Sequence, residues 1–115
     1  VCSSDLVPTT LELGGKSPTI IGLNANMKIA AERISFSKTL NAGQICLSPD
    51  YIFVRKHEEE KFISKLQDTY SKFFPTPNSK DQTSMVNKHH FKRMEMYILD
   101  ATKKRCKCTE FREKR

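Results

Sequence analysis

Along this chain the spacing of apolar positions changes several times, and each change marks an element. Residues 9–13 and 17–22 are short runs rich in Thr, Leu and Ile, split by Gly14-Gly15. They predict two buried strands around a tight backbone feature. Asn24-Ala25-Asn26 then offers N-cap residues for a helix reaching about Ala42, with Gly43 placed to end it in a left-handed cap. Its apolar residues fall in two registers, Met27, Ala30, Ala31 and Ile34 on one side and Ile29, Phe36 and Leu40 on another. Two apolar stripes predict packing on more than one side.

Tyr51-Ile52-Phe53-Val54 reads as a β-prone strand, and Phe62, Ile63, Leu66, Tyr70 and Phe73 fall at helical spacing across residues 57–74. The Pro75-Thr76-Pro77-Asn78-Ser79 stretch breaks that helix. Asn87 is the N-cap candidate of a third helix, with Phe91, Met94, Ile98 and Ala101 on one stripe. Beyond Ala101 the pattern dissolves into charge. The alternation of strands and helices predicts an α/β architecture with a mostly parallel sheet. The strands are too few for a closed domain, so a piece of a larger protein is expected.

Composition narrows the class. At 115 residues with 37% apolar side chains, one domain with a thin core is the most the chain can build. No apolar run approaches a membrane span, and residues 1–6 carry neither the basic nor the apolar part of a signal peptide. Four cysteines, two of them crowded at Cys106 and Cys108, suggest no disulfide framework, so a reducing, cytoplasmic setting is expected. The net charge of +7 is uneven: residues 1–50 balance, and the last thirteen residues hold seven basic groups against two acidic ones. Such a block fits a solvated end or a nucleic-acid arm; without interleaved aromatics the solvated end is the expectation, with neither nucleic acid nor membrane as partner.

Three features carry possible chemistry. Glu12 stands inside an apolar run beside Gly14 and Gly15. A buried carboxylate there is costly unless it is paired or functional, and desolvation would favour its protonated form. The paired glycines allow close approach of a backbone or a flat ligand. A strand-end glutamate facing solvent is the alternative. Cys46 follows the end of the first helix in Gly43-Gln44-Ile45-Cys46, where a turn could project a nucleophilic sulfur beside free backbone N–H groups, or where the thiol could simply pack. Cys106-Lys107-Cys108 lacks the spacing and the second ligand pair of a zinc site, and His89-His90 lacks the spacing of a helical metal pair, so no metal is expected.

Taken together, Thr10-Leu11-Glu12-Leu13-Gly14-Gly15-Lys16-Ser17-Pro18 and, a helix later, Asn41-Ala42-Gly43-Gln44-Ile45-Cys46 resemble the two signature stretches of the aldehyde dehydrogenase superfamily. Ser48-Pro49-Asp50-Tyr51-Ile52-Phe53-Val54 is similar to the branch with class 3, fatty and coniferyl aldehyde dehydrogenases. The likeness continues through Thr83-Ser84-Met85-Val86-Asn87 and Phe91 to about Ala101, covering residues 7–104. The resemblance implies a partial aldehyde-dehydrogenase-like catalytic domain from an NAD- or NADP-dependent enzyme oxidising an aldehyde to a carboxylic acid. It implies Cys46 as nucleophile, with its own N–H as half of an oxyanion hole. It implies Glu12 as general base, and Leu13 and Gly14 as backbone against the nicotinamide. Gln44 would shape the cysteine turn.

The family's nucleotide-binding half, the asparagine that completes the oxyanion hole and its glutamate–phenylalanine motif have no counterpart among these residues. The isolated chain is therefore expected to be inactive, as a truncated remnant or interaction module would be. The parent enzyme is expected to be a homo-oligomer. Residues 1–6 resemble a translated sequencing-adapter end and are expected to have no counterpart in the family, as a non-native leader. Residues 105–115 are expected to be a divergent basic tail.

Overall fold

The computed structural model describes residues 8–76 and 80–108. The leader expected at residues 1–6, residues 109–115 of the basic tail and residues 77–79 of the proline break lie outside the described residues.

The chain begins its regular structure at β1 (Ser17–Ile20), crosses through α1 (Met27–Thr39) and returns as β2 (Pro49–Phe53). The two strands pair in parallel, with Ser17 opposite Pro49, Pro18 opposite Tyr51, Thr19 opposite Ile52 and Ile20 opposite Phe53. An irregularity between Ser17 and Pro18 lets the ladder skip Asp50. The ladder extends one bond further, from the Ile21 N–H to the Phe53 carbonyl at 3.0 Å. A parallel pair needs a crossover between its strands, and α1 supplies it. The α/β architecture read from the alternation is the one observed.

Asn26 caps α1 as its position promised, its side chain accepting from the N–H groups of Lys28 and Ile29. The face with Ala31 and Ile34 packs on Ile21 and Phe62 to form the core, with Met27, Ala30, Ile52, Val54 and Leu66 around it. Phe62 comes from α2 (Glu59–Phe73) and is 2% exposed. A short 3-10 turn (Lys56–Glu58) leads into that helix. There the Arg55 guanidinium donates to Glu58 at 2.7 Å and reaches back to the Leu23 carbonyl at 3.3 Å. The bond from Arg55 holds the Glu58 carboxyl below the usual carboxylate range.

Three expectations require correction. Residues 9–13 form no strand: among the described residues no strand partners them, and β1 already pairs with β2. The second apolar stripe of α1 is not covered, and Ile29, Phe36 and Leu40 stand exposed. The first helix ends at Thr39 rather than Ala42, because Asn41 and Ala42 take left-handed φ values of 50° and 56° ahead of Gly43 at 74°.

The third helix, α3 (Lys88–Lys103), starts where expected, with the Asn87 side chain accepting from the His90 N–H at 2.9 Å. It buries no residue, so the stripe of Phe91 and Ile98 faces outward. It stops in a paired closure in which Arg105 donates to Thr102 and Cys106 to Ala101. Arg105 sits at φ 61°, where glycine is usual. Among the described residues no helix is long and apolar enough to cross a membrane.

Candidate functional site

The site lies at the start of the parallel pair, where the segment before β1 passes the turn before β2. After Gly43 the chain reverses, and the Ser48 N–H donates to the Ile45 carbonyl at 3.0 Å, placing Cys46 and Leu47 at the centre of a four-residue turn. Cys46 is a free, exposed thiol, not a packed one. Among the described residues no hydrogen bond engages its backbone N–H. Ser48 is buried behind the turn.

Gly15 lies against this turn. A Cβ built on it would stand 2.6 Å from the Cys46 carbonyl oxygen, closer than any real contact, so only glycine lets the two backbones pass. The Ser17 hydroxyl faces the same oxygen at 3.5 Å. Between Gly15 and Ser17, Lys16 forms an exposed ion pair with Asp50 at 3.2 Å, a weak tie in water. The structure thus brings the glutamate-bearing segment to the thiol-bearing turn through Gly15.

Glu12 itself is exposed, so the burial expected of it is not present; the solvent-facing alternative is the arrangement observed. Leu13 is 89% exposed, and Gly14, at φ 113°, has nothing within 4 Å of a built Cβ. This uncovered backbone leaves room for a flat ligand to approach. No enclosing wall is formed around it by the described residues.

One participant was only partly legible. Gln44 shapes the turn by reaching a distant segment. Its Nε2 donates to the Asn41 carbonyl at 2.9 Å and the Ser84 carbonyl at 3.2 Å, while its Oε1 accepts from the Val86 N–H at 2.9 Å. Residues 80 and 82–85, with Ala42 and Phe91, line a cavity beside it. Asn41, a residue that tolerates the left-handed region, was the available signal for the reversal. Among the described residues, no group of three or more His, Cys, Asp or Glu side chains is arranged to hold a metal.

Comparison with known proteins bears on this geometry. Residues 1–112 match the aldehyde dehydrogenase family. The chain is 44% identical over 109 residues to a probable coniferyl aldehyde dehydrogenase of Caulobacter vibrioides, covering 94% of this chain and 22% of that protein. It is 40% identical over 103 residues to the coniferyl aldehyde dehydrogenase of a Pseudomonas species, covering 89% and 21%. Rat aldehyde dehydrogenase family 3 member A2 is 38% identical over 95 residues, covering 81% and 20%. The chain therefore spans about a fifth of the length of these relatives.

Proposed function

The chain belongs to the aldehyde dehydrogenase family, and from that premise we propose that it carries the nucleophile and the general base of an NAD- or NADP-dependent enzyme oxidising an aldehyde to a carboxylic acid. The observation that supports this most directly is the contact of Gly15 with the Cys46 carbonyl, which sets the two chemical segments side by side.

In this reading the Cys46 thiolate forms a bond to the aldehyde carbon while the carbonyl electron pair moves to oxygen. The Cys46 N–H, engaged by no acceptor among the described residues, donates to that oxyanion. The backbone of Leu13 and Gly14 presents an open surface for the ring of the dinucleotide. When bound, that cofactor supplies the hydride acceptor for the oxidation. The acyl group is then held on Cys46 as a thioester. Glu12, exposed to solvent, takes a proton from water as the water oxygen adds to the thioester carbon. The carboxylic acid departs and the Cys46 sulfur returns as thiolate. The parent enzyme is read as cytoplasmic and homo-oligomeric, with an aldehyde as its small-molecule partner.

The test is a chimera in which this chain replaces the matching stretch of the Pseudomonas coniferyl aldehyde dehydrogenase. Reduced dinucleotide should form from coniferyl aldehyde, Cys46→Ser should abolish it, and Glu12→Gln should permit one turnover per site and block the next. Turnover that survives Cys46→Ser would overturn the assignment.

A further inference from the structure

We infer that Gln44 is a positioning residue for Cys46, a clasp that holds the nucleophile turn in register with residues 84–86. The inference rests on the reading of Cys46 as nucleophile and extends it to a residue with no chemical step of its own.

The backbone before Cys46 is strained. Asn41, Ala42 and Gly43 take φ values of 50°, 56° and 74° in succession. Left-handed backbone costs an L-residue about 1–2 kcal/mol, and only the third of these is glycine. A run of this kind persists where its surroundings over-determine it. The Gln44 N–H donates to the Asn41 carbonyl at 3.1 Å, the Gln44 side chain donates to that same oxygen at 2.9 Å, and the Asn41 amide donates to the Gln44 carbonyl at 3.3 Å. These bonds close the reversal on itself. The two remaining side-chain bonds, to the Ser84 carbonyl and from the Val86 N–H, fasten it to a segment some forty residues on. That segment runs directly into Asn87, the cap of α3. The half-buried amide satisfies backbone groups on both sides, so a side chain of the same length without them leaves a carbonyl and an N–H unpaired.

The experiment uses the full 115-residue chain and has two readouts. One is the rate of Cys46 alkylation by iodoacetamide divided by that of Cys106 in the same sample. The other is amide hydrogen exchange at Val86. In the wild type Cys46 should react faster than Cys106, and Val86 should be protected. Gln44→Met should remove the Val86 protection and lower the rate ratio about five-fold, the scale of one net hydrogen bond. Gln44→Glu keeps the acceptor for Val86 but loses both donors when ionised, so protection should remain while the rate ratio falls.

Cys46 reacting no faster than Cys106 in the wild type would sink the nucleophile reading and this inference with it. A fast Cys46 with an unprotected Val86, or a rate ratio unchanged in Gln44→Met, would overturn the clasp alone. Helical circular dichroism of each variant separates these outcomes from loss of the fold: an unfolded Gln44→Met with a folded Gln44→Glu of unchanged rate ratio also overturns it.

Discussion

Gly15 and Cys46 are separated by thirty-one positions in the sequence, yet there is no room for a single methyl group between the Gly15 Cα and the Cys46 carbonyl oxygen. Gly15→Ala must push the segment carrying Glu12 away from the cysteine turn. The cost is that of overpacking, about 1–3 kcal/mol, read as a lowered midpoint in urea unfolding. Gly14→Ala meets no atom, so its cost is backbone strain at φ 113° alone, about 1–3 kcal/mol and relieved if the exposed segment shifts, with no displacement of the cysteine turn. Equal midpoints for Gly15→Ala and the wild type would contradict the close approach.

The two asparagine caps should behave differently although both satisfy helix N–H groups. Asn26 starts a helix that supplies Ala31 and Ile34 to the core, so Asn26→Ala should cost about 1 kcal/mol and lower the thermal midpoint. Asn87 starts a helix that buries nothing. Asn87→Ala should therefore reduce the helical signal at low temperature and leave the core's midpoint in place.

Among the described residues Phe62 is the large side chain that is fully buried, packed in the core with Ile21, Ala31 and Ile34. Phe62→Ala should cost about 3–5 kcal/mol. Against a total stability of about 5–15 kcal/mol for a domain of ordinary size, that loss should leave no sharp calorimetric transition. A sharp transition retained in the variant would place the core elsewhere.

Acid should weaken the join between β2 and α2. The Glu58 carboxyl is held below its ordinary range chiefly by the hydrogen bond from Arg55, so the folded chain binds this proton less readily than the unfolded chain. The resulting stabilisation is fully present above the ordinary carboxylate value and is lost as pH falls through the lowered folded value. Thermal midpoints measured down that window should fall more steeply for the wild type than for Glu58→Gln. Parallel slopes would show that the pair contributes nothing.

Much of this was readable in advance because the signals were local. Asn26 and Asn87 act through their own backbone neighbourhoods, and each caps the helix its position suggested. Gly43 is left-handed as expected, but it closes a 3-10 turn past the end of α1 rather than capping that helix. The strand expected at residues 9–13 failed for the opposite reason: a strand is completed by a partner, and β-prone residues cannot announce whether one is present. The same holds for Phe36 and Phe91, whose spacing is right for burial but whose side chains stay more than half exposed. Cys46 and Glu12 stand out in the sequence as candidates by residue type and company. The reach of Gln44 to Ser84 and Val86 does not, because a contact across forty residues leaves no trace in either segment alone.

The prolines of the two strands bear on how this sheet can grow. Pro18 and Pro49 stand at the site end of the ladder, and neither has an N–H to offer. On the open edge of β1 a third strand finds no donor at Pro18, whereas Ile20, two residues further from the site, still carries one. Recruitment of new strands, including the stray pairing that leads to aggregation, is thereby biased away from the mouth where the thiol stands.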